Sequence, residues 1–130
     1  EQFGSNPADL VAAVGPCIGP CCYEVGEDVI AAVEAAFAEP GGLLQELADN
    51  RRQTADDMDE SSGCRPSSVV RRLNFDLPEA NRRNLFNAGV RTIELSGYCT
   101  ACRIDLFFSH RAEKGRTGRF GAVFALGPER

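Results

Sequence analysis

What most constrains this chain is the alternation of short apolar runs with apolar residues at helical spacing. "LVAAVG" (10 to 15) is a compact apolar run stopped by Gly15 and Pro16, which reads as a buried strand entering a turn. Between 27 and 38, Val29, Ile30, Val33 and Phe37 recur at helical spacing behind acidic residues that suit a helix N-terminus, and "EPGG" ends that helix. After "SVVRRLNFD", a strand-like run, Asp76 and Glu79 form an Asp-x-x-Glu capping box. Leu77, Ala80, Leu85 and Ala88 then give a second apolar stripe, closed at Gly89. "VRTIEL" alternates as a strand does, and "IDLFFSHR" and "RFGAVFAL" read as two strands of a hairpin joined by "AEKGRTG". Strand, helix, strand, helix, strand and hairpin imply an α+β domain, a mixed α/β arrangement.

The polar, aperiodic stretch 49 to 68 is expected to be a surface loop within one domain spanning 1 to 130, since a chain of this length has room for one core. A net charge of −5 and the absence of a long basic run argue against nucleic acid as partner. Paired arginines such as Arg51 with Arg52, Arg71 with Arg72 and Arg82 with Arg83 read as solvated faces. No apolar run reaches membrane-spanning length, so no membrane is expected as partner, and the N-terminal residues carry no signal core. The expected location is cytoplasmic, with the six cysteines as reduced thiols. Lacking an initiating methionine and beginning near a strand, the chain reads as a fragment or a processed product.

Four kinds of chemistry fit the remaining motifs. Cys99-x-x-Cys102 with Cys17 and Cys21, or with Cys22, supplies enough thiolates for a zinc site, although "CTAC" has no glycine or proline to make the usual turn. A thioredoxin-like use of CxxC would need Cys99 at a helix N-terminus, whereas the motif follows a strand. Cys99 with His110, the chain's one histidine, is a conceivable nucleophile and base pair without an identifiable third group. Arg111 and Arg119, flanking Gly115, Thr117 and Gly118, suit a phosphate or carboxylate, the plainer alternative being a solvated turn.

Taken together, "GPCIGPCCYEVGEDV", "LPEANRRNLFNAGV" and "CTACRIDLFFSHRAEKGRTGR", in that order, resemble the C-terminal half of the YfiH or laccase-domain family. Its members are known as polyphenol oxidases and as purine nucleoside phosphorylases with adenosine deaminase activity. The resemblance implies an α/β sandwich similar to the catalytic domain of cytotoxic necrotizing factor, incomplete at its N-terminus. It also implies a zinc site whose two histidines and one cysteine lie upstream of this chain, so no metal ligand is carried onto these residues. Cys99 and Thr100 match the family's "CT" element, Ser109, His110 and Arg111 its "FFS-aromatic-R" element, and Thr117, Gly118 and Arg119 its "tGR" element. Gly15, Pro16, Ile18 and Gly19 match a glycine-proline turn, and Tyr23 a "YEV" element.

The implied substrates are a purine nucleoside and phosphate, with Arg111 and Arg119 as anion contacts beside His110, Ser109 and Thr100. Copper-dependent phenol oxidation is the second expectation, opposed by the single imidazole. A non-catalytic binding module held by cysteine-bound zinc is the third. Without an N-terminal half, self-association through an uncovered apolar face is expected.

Overall fold

The computed structural model describes residues 4–46 and 72–123. Cys64, Arg51, Arg52, Arg71 and the 49–68 stretch read as a surface loop lie outside the described residues. A 3-10 turn at Pro7–Asp9, capped by the Asn6 side chain, leads into β1 (Val11–Val14). There follow β2 (Glu24–Val25), α1 (Glu27–Ala36), β3 (Leu44–Glu46), β4 (Leu73–Phe75), α2 (Leu77–Asn87) and β5 (Thr92–Leu95). Strands β1 and β5 pair in parallel with Val11 opposite Thr92 and Val14 opposite Leu95, whereas β2, β4 and β3 form an antiparallel sheet with β4 in the middle. Helices beside one parallel and one antiparallel sheet make the domain α+β, as the alternation of runs requires.

The core lies between α1, α2 and the antiparallel sheet. Ile30 and Leu43 are fully enclosed, and Val25, Val33, Phe75 and Ala80 surround them, with Tyr23, Phe37, Leu73 and Leu77 packed at the margin. Helix α1 presents Ile30 and Val33 inward because three residues is nearly one turn. It stops two residues short of the expected end: Phe37 turns extended, donates its N–H to the Val33 carbonyl and tucks its ring toward the core.

In α2 the Asp76 carboxylate accepts the Glu79 N–H at 3.0 Å, which is half of the expected capping box. The other half is absent: the Asp76 N–H goes to the Leu43 carbonyl at 2.8 Å, and Glu79 is held by Arg82 at 2.6 Å and Arg83 at 2.9 Å. These arginines are more than solvated faces: Arg83 also donates to the carbonyls of Glu39 and Gly41, tying α2 to the turn before β3. Arg72 pairs with Glu24 across β4 and β2. The helix ends as expected, with Gly89 at φ +99, a conformation that disfavours residues with a Cβ.

Two further expectations fail. Strand β1 exists but is not buried, with Val11 73% exposed, because α2 packs against the β1–β5 pair and leaves its alternate side chains uncovered. The hairpin is absent over the described residues 104 to 123, where no strand forms. Its donors are spent locally: the N–H groups of Leu106 and Phe107 reach the Arg103 carbonyl, Glu113 reaches Ser109, and Gly115 reaches His110. A chain that closes such turns on itself has no free ladder to offer a partner strand.

Candidate functional site

The Gly15–Gly19 turn after β1 and the Cys99–Cys102 turn after β5 are brought side by side by the parallel pairing, which continues past the strand ends as a bridge between Cys17 and Cys99. Thr100 fixes this join by donating its N–H to the Cys17 carbonyl at 3.0 Å. Gly19 is buried, and its N–H points at the Cys99 sulfur at 3.2 Å. A Cβ at Gly19 would sit 3.3 Å from Cys99 Cβ and 3.6 Å from the sulfurs of Cys21 and Cys99, so the turn comes close to thiols here.

Between the two turns opens a hollow of about 490 Å³. Gly15, Gly19, Tyr98 and Cys99 form one part of its lining, and Asp76, Glu79 and Arg83 at the start of α2 another. That volume falls within the range of small-ligand sites. Of these residues, Asp76 and Glu79 were legible in sequence only as a helix cap, and Tyr98 carried no signal beyond its place before "CT".

A second, smaller hollow of about 270 Å³ is lined by Phe108, His110, Thr117, Gly118, Arg119 and Phe120. It is shaped by Glu113, which sequence reasoning missed: its carboxylate accepts the Ser109 N–H at 2.8 Å and the Thr117 hydroxyl. Those two hydrogen bonds, Thr117 first, hold the Glu113 carboxyl below its ordinary value. The only advance sign of this role was the four-residue spacing from Ser109 to Glu113 to Thr117. His110 lies over Gly115, where a Cβ would come within 3.4 Å of its Nε2.

The residues carried over from the motifs therefore separate. Gly15, Gly19 and Cys99 border the larger hollow, and His110, Thr117, Gly118 and Arg119 the smaller. Ser109 and Thr100 are buried at 4% and 6% exposure, beneath the surface rather than in either lining. Tyr23 packs on Phe75 at 5.9 Å between ring centroids, and Ile18 is half-buried. Arg111 lies over Tyr23 at 5.5 Å and donates to the Glu24 carbonyl at 3.2 Å, which binds the turn to β2. Arg119 makes one hydrogen bond among the described residues, to the Gly118 carbonyl.

Four cysteines gather at the mouth of the Gly15–Gly19 turn. The sulfurs of Cys21, Cys22, Cys99 and Cys102 lie within 4.8 Å of one another, and Cys102 is 3.5 Å from both Cys21 and Cys22. The turn that "CTAC" appeared to lack is present without glycine, closed by the N–H groups of Cys102 and Arg103 on the Cys99 carbonyl. Burial would raise the Cys99 thiol, but the N–H groups of Gly19, Cys102 and Ala101 and the Cys21 thiol outweigh it and bring it down to about 7. Cys22 is pushed up to about 11 by burial and by Cys102, and Cys21 is raised further by burial and its thiol neighbours. Cys17 is also raised, chiefly by burial. Cys99 follows a strand and sits in a turn, so the helix N-terminus that thioredoxin-like chemistry needs is not there.

Residues 1–127 match the family model described as multi-copper polyphenol oxidoreductase laccase. This chain belongs to that family. Among relatives it is 35% identical over 128 residues to the purine nucleoside phosphorylase YlmD of Bacillus subtilis, covering 97% of this chain and 38% of that protein. It is 28% identical over 124 residues to the purine nucleoside phosphorylase YfiH of Escherichia coli, covering 95% of this chain and 42% of that protein. The crystal structure of Bacillus licheniformis YfiH superposes with a TM-score of 0.70 at 32% identity, covering 91% of this chain and 38% of the other. That of YlmD from Geobacillus stearothermophilus gives 0.66 at 33% identity, covering 90% and 37%. The chain thus spans well under half the length of these members.

The two-histidine, one-cysteine zinc set implied by the family motifs does not fit the donors of this chain. His110 is its only imidazole, and it borders the smaller hollow while the cysteines cluster beside the larger one.

Proposed function

We propose that this chain supplies one wall of a purine nucleoside phosphorylase site, completed by residues equivalent to the remainder of its relatives' length. The observation that carries the reading is the hollow of about 490 Å³ between the Gly15–Gly19 turn and Tyr98–Cys99, because both boundaries are family motif elements. The Tyr98 ring offers a flat face for a purine, and the carboxylates of Asp76 and Glu79 are acceptors for ribose hydroxyls. The reading makes Arg119, beside His110 and Thr117 in the smaller hollow, the cation for phosphate, and it requires the completed site to bring that hollow within reach of a ribose C1′ held in the larger one.

In phosphorolysis a phosphate oxygen bonds to the ribose C1′ as the bond from C1′ to the base breaks. The base leaves with the electron pair and takes up a proton, giving free purine and ribose 1-phosphate. The contribution of these residues is to orient the two substrates and to balance charge as the bond breaks. Zinc bound through upstream ligands, and a cytoplasmic location, belong to the same reading. Val11 and Ala13 share the exposed outer face of the β1–β5 pair with Thr92 and Glu94, and this is the side left open to the part of the relatives that this chain does not span, or to a second copy of the chain. Copper-dependent phenol oxidation is the second reading, favoured by the description of the family model. It requires every copper-binding imidazole but His110 to come from outside this chain.

Replacing the matching segment of Geobacillus stearothermophilus YlmD with this chain is expected to preserve phosphate-dependent release of purine base. Arg119→Ala in that chimaera is expected to lower kcat/KM by about 2 kcal/mol, roughly thirtyfold. A folded chimaera that releases base equally well with and without Arg119 would remove it from the site. Nuclear magnetic resonance titration of the isolated chain with a purine nucleoside gives the independent check. Shifts absent from Gly15, Gly19, Tyr98 and Cys99 would overturn the wall.

A further inference from the structure

We propose that Cys21, Cys22, Cys99 and Cys102 form a closed structural zinc site that clips the turn after β1 to the turn after β5. The inference is independent of the nucleoside reading, since a site with four protein ligands has no open position for a substrate. A Zn–S bond of about 2.3 Å sets the sulfurs of a regular tetrahedron about 3.8 Å apart. Here all four lie within 4.8 Å of one another and the closest pairs stand at 3.5 Å, so adjustments of about an ångström complete the geometry.

The donor set is uniform. Four thiolates without a carboxylate or imidazole select a soft or borderline metal over magnesium, calcium or manganese, and a tetrahedral S₄ cage is a characteristic zinc environment. Hydrogen bonding also supports the cluster. Gly19 donates its N–H to Cys99 Sγ at 3.2 Å, and the Cys102 and Arg103 N–H groups close the turn that carries this sulfur on the Cys99 carbonyl. The first disperses the negative charge that a four-thiolate zinc complex carries, and the second fix the ligand's orientation. Cys17 stands outside the group although it bridges to Cys99 through the backbone, which makes it a natural control.

Such a clip answers a structural need. A parallel pair of only two strands is weak by itself, and β1 with β5 have no third strand among the described residues. A metal bound just past their ends would hold the pair in register and fix Gly19 and Cys99 at the border of the hollow.

The test is metal analysis of the full chain, purified under reducing conditions and freed of loose metal by gel filtration. One zinc per chain is expected, unchanged in Cys17→Ser and lost in Cys22→Ser and in Cys102→Ser. Cobalt substitution of the unmutated protein keeps the test valid if a variant fails to fold. It is expected to give sulfur-to-cobalt charge-transfer bands and the intense visible bands of tetrahedral cobalt. Freely titrating thiols with no metal, a disulfide among these four that survives purification under reducing conditions, or a weak octahedral cobalt spectrum would each overturn the site. Stoichiometric iron that zinc cannot displace would overturn the choice of metal.

Discussion

Replacing Ile30 with alanine tests whether α1 is docked by the side chains that face the core. Ile30 is completely enclosed among Val25, Val33, Leu43, Phe75 and Ala80. The substitution removes three carbons, which at about 0.8 kcal/mol per buried methylene costs about 2.4 kcal/mol. A residual void of about 40 Å³ adds roughly 1 kcal/mol at about 24 cal/mol per Å³. The better helix propensity of alanine returns a few tenths, leaving a loss of about 3 kcal/mol. Val29, one position earlier on the same helix, is 36% exposed, so Val29→Ala is expected to change stability by less than about 1 kcal/mol. Urea unfolding followed by circular dichroism reads both. With slopes of about 1–3 kcal/mol per molar, the Ile30 variant should shift its midpoint down by about 1–3 M at unchanged slope. Equal shifts for the two variants, or a larger one for Val29, would refute the assignment of the buried face.

The other predictions concern single groups. Asp76→Ala removes the acceptor for the Glu79 N–H and is expected to cost about 1 kcal/mol in the same unfolding assay, with Asp76→Asn recovering most of it. In the reduced, metal-free chain, alkylation of Cys99 should rise with pH around a midpoint of about 7 while Cys22, near 11, lags behind, as peptide mass mapping would show. Glu79 is held down to about 2 by Arg82, then Arg83, so its folded value lies below its unfolded one. Its contribution is therefore present above the ordinary carboxylate range and is lost as the pH falls from about 4.5 toward 2. Glu79→Gln should lessen that acid loss in unfolding curves measured across the interval.

Both helices were legible because their apolar spacing and boundary residues agree: Ile30 and Val33 face inward, Asp76 caps, and Gly89 stops α2. What misled was the segment from 104 to 123. Ile104, Phe107 and Phe108 carry the β-propensity of a strand, yet propensity records preference for a pleated surface and says nothing about whether a neighbour is there. Local turns and the Glu113 carboxylate take the donors instead. The site was legible as motifs and illegible as an arrangement. That Gly19 meets Cys99, or that Arg111 lies on Tyr23, depends on contacts between residues 80 and 88 positions apart. No local pattern encodes such distances. The thiol cluster was half visible, since the cysteines could be counted while the turn that gathers Cys99 and Cys102 is built from backbone bonds that any residue can make.

The joining of β1 to β5 also bears on when the molecule becomes itself. Their first partners, Val11 and Thr92, are separated by most of the chain, and the thiol pairs span 80 and 81 positions. Contacts of that range reward the chain only after a large loop has closed, so they set a slow clock for folding. During synthesis Cys21 and Cys22 emerge long before Cys99 and Cys102, and an early intermediate holds half a cluster at most. The assembled thiols are thus a chronometer: a probe that sees all four sulfurs together reports that the two ends of the sequence have already met.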